Sequence, residues 1–293
     1  MDNQSSEANV RNYYDEFMYD RVIEEYFGRS GFHNLGLWDS DTDTAVEACR
    51  ALIAELITLS PPHPNTVLEV GCGRGATTKE FCAGWPQARI TAIDVSEIQI
   101  EACMKNCPKA TVKQMDACNM TFAESSFDLV ISVEAAFQFP SRKSFLENAL
   151  RVLKPGGRLV LQDLLHHERV GSPIVLPDTL RQENAGPWSA AGDTDKQILD
   201  PAILLPSDNY LANPTEYRDL VSAVGFENCE VIDVTAAGPR RFYPHFLKHL
   251  GDHDAWKGYD PERVRMLRVG ARLFARNVSY CVLVRAEAPR CQQ

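Results

Sequence analysis

The sequence predicts an α/β fold: a mostly parallel sheet with helices on both faces, entered through a helical amino-terminal segment. Three observations carry this. Between Thr66 and Asp163, short β-branched and apolar runs alternate with segments of helical period. A glycine-rich turn, Gly71-Cys-Gly73-Arg-Gly75, joins the first such run to the helix that follows it. The 293 residues, 44% hydrophobic and 24% charged, suffice to bury a sheet core without disulfide or metal support.

Residues 1–60 read as a helical lid. Tyr13 to Phe27 places apolar and aromatic residues at helical spacing and stops at Gly28-Arg-Ser-Gly31. A second helix, Thr44 to Leu59, carries a stripe of Ala45, Cys49, Leu52, Ile53 and Leu56. It ends before Ser60-Pro-Pro-His-Pro64, which a helix cannot cross. The main domain, 61–293, then runs strand Thr66–Val70, helix to Ala83, strand Arg89–Asp94, helix Glu97–Asn106, strand Thr111–Asp116, strand Phe127–Val133, helix Arg142–Leu153 and strand Arg158–Asp163. Residues 164–213 are proline-rich and lack a sustained period, the pattern of a substrate-binding loop. A helix at Pro214–Val224, a strand at Cys229–Val234, a helical cap within 238–276 and a strand at Val278–Ala286 follow.

Forty acidic against thirty basic residues give a formal charge of −10, which repels phosphate backbones, so nucleic acid is not an expected partner. No run of eighteen apolar residues occurs, and the opening MDNQSSEANV is neither a signal nor a transit peptide. The expected location is the cytoplasm, with no membrane partner and with a homodimer allowed. Nine cysteines form no CxxC pair, Cys103 and Cys107 being nearest at CxxxC, so reduced thiols are expected.

Glycines at a strand-to-helix turn let a ligand approach the backbone and the free N–H groups of the helix start. A nucleotide-like ligand is implied. Gly71, Gly73 and Ala76 also meet the dinucleotide fingerprint, so this loop alone does not separate a nicotinamide enzyme from other users of the fold. Asp94 ends the second strand, where a carboxylate can accept both hydroxyls of a ribose. Its alternative role is to cap the next helix, although Ser96 is the better cap. Asp116 and Ala117 end the third strand, placed to meet an adenine amino group, and Leu153-Lys-Pro155-Gly-Gly157 turns a helix into the fifth strand.

This ordered set resembles the class I S-adenosylmethionine-dependent methyltransferases over about residues 66–163. The flanks are similar to the small-molecule branch that contains ubiquinone/menaquinone, sterol, tocopherol and natural-product methyltransferases. The similar segments are Tyr13-Tyr-Asp15, Phe32-His-Asn-Leu-Gly36-Leu-Trp38, Val133-Glu-Ala-Ala-Phe137-Gln-Phe-Pro140 and Asn213-Pro-Thr-Glu-Tyr217. The resemblance implies a Rossmann-like sheet of seven strands in the order 3-2-1-4-5-7-6, the last antiparallel. It implies S-adenosylmethionine as cofactor, with Gly71 and Gly73 at the methionine portion, Asp94 at the ribose and Asp116 with Ala117 at the adenine. Val95, Gln99 and Val133 complete these contacts, and Tyr14 and Trp38 close over the sulfonium end. It further implies methyl transfer to a small organic acceptor.

Such a transfer is an in-line displacement, so collinear positioning with water excluded supplies most of the catalysis; a base helps when the acceptor is a hydroxyl. Gln138 stands where relatives often carry histidine, and glutamine cannot take a proton. The remaining base candidates are Asp163 at the end of the fifth strand and His166 and His167 beyond it, with Glu134 able to steady a cation. Oxygen methylation is the first expectation. Carbon methylation of an electron-rich alkene is the second, favoured by Gln138 and Glu134.

Acceptor contacts are expected from Tyr13, Phe137, Gln138 and Trp188, and from His245 and Arg268 of the cap. His245, His249 and His253 recur every four residues, but Gly251 interrupts them and no carboxylate or thiol joins at ligand spacing. They read as a polar helix face, and no metal is expected. Arg265, Arg268, Arg272 and Arg276 form a stripe on the helix begun by Asp260-Pro261. The stripe is either a solvated face or, with Arg240 and Arg241, a holder for an anionic substrate group. Two rival classes stand beside these readings: a nicotinamide oxidoreductase, and an adenosyl-binding protein that transfers no methyl group.

Overall fold

A computed structural model of the chain describes residues 19–167, 209–252 and 256–290. Seven strands form one sheet: β1 (Thr66–Val70), β2 (Arg89–Asp94), β3 (Thr111–Gln114), β4 (Phe127–Val133), β5 (Leu153–His166), β6 (Glu227–Asp233) and β7 (Val278–Glu287). Their order is β3-β2-β1-β4-β5-β7-β6, as the family resemblance implies. The first five pair in parallel, while β7 lies antiparallel between β5 and β6. Parallel strands are covered on both faces, and β1 accordingly is buried at every position. The order reverses between β1 and β4, which opens a crevice beyond the carboxyl ends of those strands.

Eight helices described here cover the sheet: α1 (Arg21–Tyr26), α2 (Ala45–Leu59), α3 (Ala76–Gly84), α4 (Glu97–Asn106), α5 (Arg142–Val152), α6 (Pro214–Val224), α7 (Pro239–Leu250) and α8 (Pro261–Asn277). On one face, Leu52 and Leu56 of α2 pack with Phe81 of α3, Ile131, and Phe242 and Phe246 of α7. On the other, Phe145 and Leu146 of α5 and Tyr217 and Val221 of α6 pack on Leu161 and Val284. The expected stripe of α2 is buried as read. Its start is a capping box, in which the Thr44 hydroxyl accepts from the Glu47 N–H and the Glu47 carboxylate accepts from the Thr44 N–H. Asp260 likewise caps α8, with Pro261 in the first turn.

Three boundaries near the site differ from the expected ones. The fifth strand runs from Leu153 to His166 instead of Arg158 to Asp163, because Leu153 already pairs with Phe127 of β4 and β7 pairs on as far as His166↔Val278. His166 therefore belongs to the sheet and not to the loop after it. The third strand stops at Gln114; beyond it the Asp116 carboxylate accepts from the Cys118 N–H and forms a turn. Of the helix expected over Tyr13–Phe27, α1 covers Arg21–Tyr26, begun by Asp20, whose carboxylate accepts from the N–H groups of Val22 and Ile23. Tyr13, Tyr14, Trp188 and His253 lie outside the described residues.

Candidate active site

The glycine turn after β1 takes a left-handed shape that favours glycine. Gly71, Gly73 and Gly75 have φ of +75°, +50° and +83°. A Cβ on Gly71 would stand 2.5 Å from the Cβ of Ala135, and one on Gly75 would stand 2.7 Å from Cys103 Sγ. The turn is thus pressed between the loop after β4 and helix α4. Asp94 at the end of β2 holds it from the side: one carboxylate oxygen accepts from the Gly73 N–H (3.0 Å) and the other from the Ser96 N–H (3.0 Å). The Ser96 hydroxyl in turn caps α4 by accepting from the Gln99 N–H at 3.2 Å. Asp94 is part-exposed, Gln99 is buried beside it, and Val95 turns outward at 41% exposure. Asp116 is part-exposed and Ala117 buried at the end of β3, and Val133 is buried at the end of β4. The expected cofactor residues within the described chain, Trp38 apart, form one arc along the carboxyl ends of β1 to β4.

Glu69 is a candidate that sequence reading passed over. It is 1% exposed in β1, directly before the glycine turn; one oxygen accepts from the Thr77 hydroxyl, and the other is buried with no hydrogen-bond partner among the described residues. Burial pushes its carboxyl up to about 7. The signal was available: an acidic residue inside the otherwise buried strand Thr66-Val-Leu-Glu-Val70 costs free energy unless something satisfies it. An open buried oxygen, a turn that bars side chains and a carboxylate at the end of β2 together fit an adenosyl ligand with a cationic amino acid tail.

The acceptor-side candidates divide. Asp163 does not serve as a base facing a pocket, which corrects the expectation. It is fully buried, and both of its oxygens are taken. One accepts from the N–H groups of Phe137 and Leu164 at 2.9 Å each, the other from Arg142 Nε at 2.8 Å and the Tyr217 hydroxyl at 2.9 Å. The same Arg142 donates to the carbonyls of Leu164 and Asn209, and Asn209 Nδ2 donates to the carbonyl of Ala136. This network fixes the 3-10 turn Ala136–Gln138, which carries Phe137 and Gln138. Phe137 is buried, and Gln138 is part-exposed.

His166 packs against the Phe137 ring at 5.7 Å between centroids; it is 7% exposed, and neither ring nitrogen has a hydrogen-bond partner among the described residues. Burial first, then the Arg142 charge, drives its imidazole down to about 3, so it is neutral. His167 is exposed; its N–H donates to the Asn277 carbonyl at 2.9 Å and its carbonyl accepts from the Tyr210 hydroxyl at 3.4 Å. Glu134 has φ of +50°, and a single oxygen accepts from the Leu35 N–H (2.8 Å) and Gln162 Nε2 (3.2 Å). Burial raises its carboxyl to about 8. A part-buried carboxyl on a strained backbone position thus joins the segment before α2 to the end of β4.

Trp38 and His245 meet each other, at 4.7 Å between ring centroids. Trp38 is 5% exposed; its indole N–H donates to the Leu35 carbonyl at 2.8 Å and its backbone N–H to the Ala237 carbonyl at 2.7 Å. It ties the segment before α2 to α7 and the turn before it. The expected polar face of His245 and His249 is also corrected. Both rings pack on Tyr26, His245 Nδ1 lies 3.0 Å from the Tyr26 hydroxyl, and His249 meets Trp256. Burial lowers both imidazoles below their usual range. No cluster of three metal-ligating side chains occurs among the described residues. Of the arginine stripe, Arg265 pairs with Glu262 at 3.4 Å, while part-buried Arg268 has no ion pair among the described residues. Arg240 and Arg241 are exposed, and Arg241 donates to the Asp39 carbonyl at 2.7 Å.

A family model described as a methyltransferase domain matches residues 67–157. The chain is 31% identical over 159 residues to the 27-O-demethylrifamycin SV methyltransferase of Amycolatopsis mediterranei, covering 52% of this chain and 57% of that one. It is 30% identical over 170 residues to an O-methyltransferase of Aspergillus nomiae, covering 55% and 73%. The chain spans little more than half the length of the first curated relatives it matches. Its fold superposes on the 4+2 cyclase SpnF with a TM-score of 0.69 and 20% identity over 96% of each chain, a likeness of fold alone. Domain match, strand order, glycine turn and relatives agree, and the chain belongs to the class I S-adenosylmethionine-dependent methyltransferase family, in its small-molecule branch.

Proposed function

We propose that the protein transfers a methyl group from S-adenosylmethionine to a hydroxyl of a small, largely apolar organic acceptor, in natural-product or lipid metabolism. When bound, S-adenosylmethionine supplies an electrophilic methyl group on a sulfonium. Gly71, Gly73, Glu69, Asp94, Val95, Gln99, Asp116, Ala117 and Val133 are the residues that would hold it. In this reading, residues 1–60 serve as the lid, with Tyr13 on the acceptor side and Tyr14 and Trp38 closing over the sulfonium end, and 238–276 as the cap. Trp188, Gln138 and Arg268 are proposed as further acceptor contacts.

The observation that carries the acceptor class is His166, a neutral imidazole buried against Phe137 with both nitrogens open. A neutral imidazole offers one N–H and one lone pair, which suits a hydroxyl beside an aromatic wall. Its low basicity makes it an orienting group. The stronger proton acceptor nearby is Glu134 in its ionised form. Two relatives support oxygen as the target, since their names describe methylation at oxygen.

The test incubates the protein with methyl-labelled S-adenosylmethionine and a small-molecule extract of its source, beside an Asp94→Ala control. The expected result is an extractable product labelled as a methyl ether, absent with the control. Label on carbon would favour the second reading, in which Glu134 steadies a carbocation. Binding of S-adenosylhomocysteine without any transfer would favour an adenosyl-binding protein of other activity.

A further inference from the structure

Cysteines face one another across the packing of α3 and α4. Cys103 and Cys107 stand one turn apart on and just after α4, and the Cys103 N–H···O ladder continues to Cys107, whose N–H donates to the Cys103 carbonyl at 2.8 Å. Opposite them are Cys72 in the glycine turn and Cys82 in the last turn of α3. The Sγ atoms of Cys82 and Cys107 are 3.3 Å apart. Cys107 is 4% exposed, and Cys82 is part-exposed; both are free thiols.

We propose that Cys82 and Cys107 form an oxidation site that closes to an internal disulfide and staples α3 to α4. The two sulfurs already touch, so closure to a bond of about 2.05 Å asks for a shift of little over 1 Å. Solvent reaches Cys82 and not Cys107, which sets the order of events. A peroxide takes the Cys82 thiolate to a sulfenic acid, with one peroxide oxygen added to sulfur and the other leaving as hydroxide, which is protonated to water. The Cys107 sulfur then attacks the sulfenic sulfur, forms the S–S bond and expels a second water. Two thiols are oxidised by two electrons and one peroxide is reduced. Burial, helped by the Cys107 contact, pushes the Cys82 thiol up to about 12, so closure is slow at neutral pH and accelerates in alkali.

The staple closes a loop between positions 25 apart in sequence; Cys82 lies in the last turn of α3, away from the glycine turn that opens that helix, while Cys107 follows Asn106, whose side-chain amide donates to the Arg74 carbonyl of the turn at 2.8 Å. It should stabilise the fold, and because closure asks for so small a shift the adenosyl corner should keep its affinity. The experiment treats the full-length protein with hydrogen peroxide at pH 7 and pH 9, then reads disulfide-linked peptides by mass spectrometry under non-reducing conditions. Melting temperature and S-adenosylhomocysteine affinity are measured on the same samples. Expected are a Cys82–Cys107 linked peptide forming faster at pH 9, a melting temperature raised by roughly several degrees and restored by a thiol reductant, and an affinity within about twofold of the reduced protein. Cys82→Ser and Cys107→Ser should each abolish the linked peptide and the shift while still binding S-adenosylhomocysteine, which shows them folded. Cys82 sulfinic or sulfonic acid beside an alkylatable Cys107, linkage of other cysteines instead, or a linked protein no more stable than the reduced one would each overturn the proposal.

Discussion

Arg142 and Asp163 form a 2.8 Å ion pair whose side chains are 4% and 0% exposed, 21 positions apart in sequence and joined through α5 and β5. A charge pair so far from water is stable only because every oxygen and most N–H groups are used, by Tyr217, Asn209 and the backbone of Phe137 and Leu164.

Removing one member should therefore be costly. Asp163→Asn leaves the Arg142 guanidinium buried without its counter-charge, and the expected loss is about 3–5 kcal/mol of folding stability. Urea denaturation measures it. Replacing both residues by apolar ones of similar volume should cost less than the single change, which distinguishes an uncompensated charge from a simple loss of contacts.

Asp94 braces the glycine turn and faces the crevice. Asp94→Ala should weaken S-adenosylhomocysteine binding about ten- to a hundredfold, the worth of one or two hydrogen bonds to a charged group. Isothermal titration calorimetry reads this directly. An unchanged affinity would remove Asp94 from the adenosyl site.

Gly71→Ala should destabilise by about 1–3 kcal/mol, since it combines a φ of +75° with a Cβ contact of 2.5 Å to Ala135. Ala135→Gly in the same chain should recover part of the loss by opening the space. Gly258→Ala is the control: its φ is +90° and nothing lies within 4 Å, so strain alone remains. Thermal melts of the four proteins separate strain from collision.

Glu134, raised to about 8 from an ordinary value near 4.5, holds its proton in the folded state over a range in which the unfolded chain has released it. The unfolded state then binds fewer protons, so its contribution to stability is full at acid pH and is lost as pH rises toward about 8. Glu69, raised to about 7, acts in the same direction. His166, lowered to about 3, acts oppositely below its ordinary value near 6.5. Between pH 7 and 8, Glu134 dominates, and Glu134→Gln should flatten the decline in stability that the wild type shows there. Equilibrium unfolding at closely spaced pH values checks it.

The alternation of strands and helices and the glycine turn were legible because each rests on local pattern, apolar runs and short spacings, while the strand order and the arc from Gly71 to Val133 came from the family resemblance. The acceptor side was less legible because its roles are decided by partners distant in sequence. Asp163 reads as a base until Arg142 and Tyr217 close on it. His166 reads as a loop residue until β7 extends the strand that carries it. His245 and Tyr26 are 219 positions apart, and no helical period could announce that they touch. Glu69 stands two residues before the glycine turn, yet only its burial with one open oxygen marks it out.

The hydrogen bond from Tyr210 to the carbonyl of His167 places the departure and the return of the chain side by side. Arg142 and Asn209 clamp the same junction from beneath. Whatever is spliced between these two anchor points starts and finishes on a mount already built by β5, α5 and the turn at Phe137. The entropic toll of closing a loop grows only with the logarithm of its length, so this stretch can be lengthened, shortened or exchanged with little strain on the sheet.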